Sequence, residues 1–145
     1  MQQFVVKKSI TIHAKPEEVW DALTNPEKTK KYFFRCEVHS DWKAGSPITF
    51  KGKFLYLIKF EMSGIILEVE PLKRLKYSLN NTKSSSKSTV TDELRYENGI
   101  TTLSVTDDVG QGEGAERRFK RSDKGWDKVL KGLKHLVEKG KHNHH

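Results

Sequence analysis

The stretch Ile10-Thr11-Ile12-His13-Ala14-Lys15-Pro16-Glu17-Glu18-Val19-Trp20-Asp21-Ala22-Leu23 decides the fold class. Val6 to Ile12 mixes apolar and polar residues near period two, the pattern of a half-buried strand. Pro16 suits the first turn of a helix, where its missing N–H is no loss. Glu17 and Glu18 then stand at the positive end of the helix dipole. Val19, Trp20 and Leu23 form an inward stripe at helical spacing. Asn25-Pro26-Glu27 repeats the pattern, with Asn as N-cap and Pro behind it. A second short helix follows and ends near Tyr32-Phe33-Phe34.

At the far end, Gly125-Trp126-Asp127-Lys128-Val129-Leu130-Lys131-Gly132-Leu133 belongs to a helix from Ala115 to about Glu138. At about 100° per residue, Phe119, Trp126, Val129, Leu130, Leu133, Leu136 and Val137 share roughly 120° of arc. The C-terminal half of that arc is Leu and Val, which seal a core. Its N-terminal half holds Ala115 and Ser122, with Arg118 at the edge, and so leaves space that Leu would fill. A cavity is expected there, beside Ala115, Phe119, Ser122 and Trp126. Gly125 and Gly132 share one edge of this helix, which suits close packing against the two short helices.

Most of the intervening sequence is strand-like. Cys36–Ser40 and Pro47–Lys51 are short strands joined by Ala44-Gly45-Ser46-Pro47. Leu55 to Val69 alternates on Tyr56, Ile58, Phe60 and Met62, then changes phase at Gly64 to Ile65, Leu67 and Val69, which points to a bulge or bend at the glycine. Leu75–Leu79 alternates cleanly, and Asn80–Lys87 reads as a flexible polar loop. Val90–Tyr96 and Ile100–Val109 are joined by the hairpin signal Glu97-Asn98-Gly99. Gly110–Gly114 is a hinge, and a polar, His-bearing tail starts at about Lys139. The fold class is therefore α+β. An antiparallel sheet of about six or seven strands wraps round a long C-terminal helix, with two short helices after strand one.

A chain of 145 residues makes one domain, residues 1–145, with enough length to bury a core. Its single cysteine, Cys36, excludes an internal disulfide, as in a reducing compartment. The N-terminus shows no signal-peptide apolar region, and no run is long enough to span a membrane, so a cytoplasmic location is expected. The net charge of +8 is spread over three clusters, Lys28/Lys30/Lys31, Lys73/Arg74/Lys76 and Arg117/Arg118/Lys120/Arg121. Such a surface keeps a protein soluble and favours acidic partners. Nucleic-acid binding is disfavoured, because exposed aromatics are not interleaved with the basic outer face of the last helix.

The strand-Ala-x-Pro-x-x-Val-Trp-x-Ala-Leu-Thr block resembles the START-like superfamily, which includes the birch-pollen-allergen fold. Within it the chain is most similar to the activator-of-heat-shock-protein-90-ATPase-like family. Four segments carry the resemblance in order: Ala14–Thr24, Ser40-Asp41-Trp42, Gly64 to Tyr77 with Leu67-Glu68-Val69-Glu70-Pro71, and Gly125 to Leu133. The resemblance implies a helix-grip fold with a cavity between sheet and C-terminal helix. Superfamily members bind lipids, polyketides, steroids or plant hormones, and a few catalyse cyclisations. The eukaryotic co-chaperone that names the family has an additional N-terminal domain, for which this chain has no room.

The expected activity is binding of a small apolar or amphipathic molecule. Its apolar body is expected against Phe50, Phe60, Tyr77, Phe119 and Trp126, with Ser122 or Arg118 orienting a polar end. Trp42, beside a turn, marks a cavity mouth. Tyr32, Phe33 and Phe34 suit a lid, at least one of them should be exposed or contact a ligand, and Phe34 is placed among the ligand-binding residues. Trp20 and Trp126 also serve as core anchors. The alternative is a protein-interaction module with a chaperone-cofactor role, meeting a chaperone or another acidic protein. The residues favour binding over catalysis. Cys36 reads as a buried inert thiol despite His39 three residues away. Asp107 and Asp108 close the last strand, where one can cap the hinge. No phosphate loop, cofactor motif or fixed metal-ligand cluster is present, His142, His144 and His145 lying in the tail.

Overall fold

The computed structural model describes residues 4–54, 58–81, 86–110 and 112–142. Strand β1 (Val5–Ile12) leads into helix α1 (Pro16–Thr24) and helix α2 (Pro26–Tyr32). Six strands follow: β2 (Glu37–Ser40), β3 (Pro47–Phe54), β4 (Ile58–Glu70), β5 (Arg74–Asn81), β6 (Ser86–Glu97) and β7 (Ile100–Asp108). Helix α3 (Ala115–His142) ends the described chain.

Local chemistry sets these boundaries. Pro16 and Pro26 each open a helix. The Glu18 carboxylate accepts the Lys15 N–H at 3.1 Å, and Asn25 Oδ1 accepts the Glu27 N–H at 3.0 Å. Each satisfies a donor that the first turn leaves unpaired. The Thr101 hydroxyl donates to the Ala14 carbonyl at 2.7 Å and ties the approach to α1 onto β7.

The strands form one antiparallel sheet in the order β1-β7-β6-β5-β4-β3-β2. Consecutive strands from β2 to β7 are neighbours, and β1 closes beside β7, pairing Val5–Ile12 with Asp108–Thr101. Inward residues Val38, Ile48, Phe50, Ile66, Leu75, Val90, Leu103 and Val105 share one buried cluster with Val129, Leu130, Leu133 and Val137 of α3. Alternation on the sheet meets the helical stripe of α3, and burying both drives the packing.

Three local expectations change. The inward phase of β4 persists through Gly64 to Ile66, and the register shifts between Ile66 and Glu68. The extra residue is thus Leu67, and Ile65 and Leu67 point outward, exposed. Gly64 answers a different need: a Cβ there would lie 1.6 Å from the Ser78 carbonyl oxygen. The described residues of Asn80–Lys87 are strand, with Asn80 paired to Lys87 and Asn81 to Ser86, and residues 82–85 lie outside the described residues. Polar composition had read as loop where ladder hydrogen bonds prevail. Helix α3 continues past Glu138 to His142; Lys139 places positive charge near the end of the helix where the dipole is negative.

Candidate functional site

Sheet and helix do not close on one another everywhere. Met62 of β4, Tyr77 and Leu79 of β5, Val90 of β6 and Asp107 of β7 face Ser122, Gly125 and Trp126 of α3 across a cavity of about 500 Å³. Leu at position 122 would occupy space that serine leaves open.

Aromatic residues after α2 close one end. Phe34 (φ 51°) and Arg35 (φ 61°) are consecutive left-handed residues, uncommon for side chains with a Cβ. The turn sets the Phe34 ring over Gly125, 3.5 Å from where a Cβ would stand. Phe34 remains 58% exposed. Phe33 meets Trp126 edge-on at 5.8 Å and Phe50 at 5.3 Å, and Phe50 meets Tyr77 at 5.9 Å. Tyr32 is buried, its hydroxyl donating to the Ala22 carbonyl at 2.7 Å. A Cβ on Gly132 would lie 3.0 Å from the Tyr32 Cβ, so both α3 glycines lie against this segment.

The polar groups of the wall converge on Asp107. Its Oδ2 accepts the Ser122 hydroxyl at 2.5 Å and the Trp126 indole N–H at 2.9 Å. Burial pushes its carboxyl above the ordinary carboxylate value, and the Ser122 and Trp126 bonds pull it back. Asp92 on β6 lies deeper, where burial and then the Asp107 charge push it up to about 7. It borders a small void of about 20 Å³, room for about one water. Tyr77 spans the two spaces. Its phenol is raised well above its usual value, by burial first and then by Asp92 and Asp107, and stays neutral. Arg118 reaches back to the hinge, Nε donating to the Val109 carbonyl and Nη1 to the Glu113 carbonyl, both at 3.1 Å. Of the two aspartates, Asp108 caps the hinge, its Oδ1 accepting the Gly110 N–H at 3.0 Å.

Of the residues singled out from sequence, Phe34, Tyr77, Arg118, Ser122 and Trp126 line the 500 Å³ cavity. Phe50 and Trp42 border the small void instead. Phe60 pairs with Gly52 in the sheet, and its side chain lies outside the described residues. Phe119 packs on Phe4 at 6.0 Å, and Ala115 borders a separate hollow beside Phe4. The reason is angular: Phe119 is displaced from Ser122 by about 60° round the helix, toward β1. Ala115 shares the direction of Ser122 but sits about 10 Å further along the axis.

Asp92 and Asp107 were missed as wall residues. Their signal was present, because each occupies an inward phase: Val90-x-Asp92-x-Leu94 on β6 and Leu103-x-Val105-x-Asp107-x-Val109 on β7. Cys36 is buried and its thiol is raised by burial, while exposed His39 contacts Glu37 instead. Among the described residues no three His, Cys, Asp or Glu side chains are grouped to hold a metal ion. No helix among them is long and apolar enough to cross a membrane.

A seven-stranded antiparallel sheet gripping one long C-terminal helix, with two short helices after β1, is the helix-grip architecture of START-like proteins. The chain belongs to the Activator of Hsp90 ATPase homolog 1-like family, whose model matches residues 13–138. A solution structure of a Cytophaga hutchinsonii protein is similar at 31% identity and TM-score 0.76, over 97% of this chain and 98% of that one. A crystal structure of a Mesorhizobium loti protein is similar at 22% identity and TM-score 0.80, over 93% and 97% of the two chains. The Aha1 dimer from Colwellia psychrerythraea is similar at 19% identity and TM-score 0.73, over 92% and 96%. The latter two likenesses concern the fold alone. No curated protein sequence matches the chain.

Proposed function

We propose that this protein binds a small hydrophobic or amphipathic molecule between the sheet and α3. The observation that carries the reading is the cavity of about 500 Å³ beside Ser122 and Trp126. An apolar wall with a few convergent polar groups is the usual make-up of a small-molecule site. Tyr77, Leu79, Val90 and Trp126 supply the apolar contact, Phe34 covers the entrance, and Asp107 and Ser122 supply polarity. Calorimetry against a panel of lipids, sterols, phenolics and flavonoids tests it. Saturable binding by at least one class supports the reading; a folded sample that binds none of them defeats it.

A second reading, a chaperone-cofactor module of the cytoplasm, draws support from family membership and from Phe34, exposed beside exposed Lys31 and Arg35. The two readings differ in where substitutions act. Lys31→Glu with Arg35→Glu abolishes docking on an acidic chaperone and spares cavity binding, whereas Ser122→Phe does the reverse. An unchanged chaperone ATPase rate on adding the protein removes the second reading.

A further inference from the structure

Packing does not explain the two carboxylates on the inner face of the sheet. Asp92 is 4% exposed and Asp107 7% exposed. Asp92 stands opposite Val105, and Asp107 opposite Val90, so the two are diagonal neighbours on adjacent strands. That relation leaves side chains about 7–8 Å apart, close enough for each to feel the other's charge. Oδ1 of Asp92 and Oδ1 of Asp107 have no hydrogen-bond partner among the described residues. Buried polar groups are rarely left this way.

Asp107 lines the large cavity, and its unpaired oxygen is buried in the wall. The donors nearest to it, the Ser122 hydroxyl and the Trp126 indole, are already spent on Oδ2. An anionic head seated there would find two carboxylates nearby and those two donors engaged. A hydroxyl would leave the carboxylate charge uncompensated. An ammonium would offset it, and charge-assisted contacts of this kind are the stronger ones. Arg118 and Arg121 also border the cavity, from the α3 side. Two bonds hold the Arg118 guanidinium at the hinge, and Arg121 is exposed at the rim. The positive charge is thus at the edge, and the negative charge is inside.

We infer that the cavity selects amphipathic amines, with the ammonium drawn to the Asp107 carboxylate at the cavity wall and the apolar body against Tyr77, Leu79 and Trp126. This rests on the ligand-binding reading above and specifies its ligand class.

Titration calorimetry of the full chain with phenylbutylamine, phenylbutanol and phenylbutyrate tests it, because the three share one apolar body. At about pH 8, with the amine protonated, the amine should bind about tenfold or more tighter than the alcohol. The carboxylate should bind weakest. Asp107→Asn should bring amine and alcohol within about twofold of each other. If that variant does not fold, Asp92→Asn decides, since it leaves the Ser122 and Trp126 bonds in place and should still narrow the preference. Alcohol binding with no preference for the amine, or a preference unchanged in the folded variant, overturns the inference and leaves the cavity reading standing. No binding by any of the three overturns both.

Discussion

The indole N–H of Trp126 donates to Oδ2 of Asp107 across 2.9 Å and joins the middle of α3 to the end of β7. This bond crosses the gap between sheet and helix at the wall of the cavity. It fixes the Trp126 ring edge-on to Phe33 and holds one oxygen of Asp107, while the other is buried without a hydrogen-bond partner among the described residues. A hydrogen bond to a buried charged group contributes about 1.5–3 kcal/mol.

Trp126→Phe removes that donor and part of the packing. The variant is expected to lose about 2 kcal/mol or more of stability in urea unfolding, with the midpoint lowered and the slope unchanged. A loss below about 0.5 kcal/mol, the range of an ordinary surface change, contradicts the bond's structural role.

Stability should also depend on pH through Asp92. Its folded value of about 7, raised by burial and then by Asp107, stands above the ordinary 3.8. Between those two values the folded chain holds a proton that the unfolded chain has released. Stability therefore falls as pH rises from about 4 through about 7, and levels off above it. Asp107 is raised as well and acts in the same direction. Asp92→Asn should flatten the fall, so that the variant gains on the parent by a few kcal/mol between about pH 4 and pH 8. Parallel curves for the two proteins would place the titration elsewhere.

The two glycines of α3 should respond differently to alanine. At Gly125 the new Cβ would stand 3.5 Å from the Phe34 ring, ordinary contact with a half-exposed side chain. Gly125→Ala should stabilise the protein, approaching the helix-propensity gain of about 1 kcal/mol. At Gly132 the Cβ would stand 3.0 Å from the Tyr32 Cβ, whose ring is pinned by its bond to Ala22. Gly132→Ala should gain nothing or destabilise. Equal thermal shifts for both would contradict this packing.

Gly64→Ala should be far worse than either. The Cβ would lie 1.6 Å from the Ser78 oxygen, in backbone that cannot swing aside. A loss of about 3 kcal/mol or more, or failure to fold, is expected. A mild effect in urea unfolding would mean that β4 and β5 do not approach as closely at this point.

The order of elements was legible because its signals are local and repeated. Pro16, Asn25 and Pro26 mark the helix starts, and alternation marks Leu75–Leu79 and Ile100–Val109. The serine facing the cavity was legible for the same reason, since a small residue on an apolar stripe leaves a hole. What misled was anything decided by neighbours. Polar Asn80, Asn81, Ser86 and Lys87 pair as strand because a partner strand lies beside each. The bulge at Leu67 answers the register with β5, which sequence alternation does not encode. Phe119 shares the apolar arc but turns to Phe4 because β1 lies on that side. Asp92 and Asp107 were hidden by composition, since a carboxylate in an inward phase reads as an interruption until the opposite wall is known.

The central claim is a ligand cavity beside Ser122 and Trp126, and the most direct test follows tryptophan fluorescence while apolar ligands are added, with Ser122→Phe as control. Ser122→Phe fills the space with a ring while thermal melting checks that the fold persists. The account predicts a saturable fluorescence change in the parent protein that disappears in the folded variant. No saturable change in the parent, or an equal change in both, would contradict it.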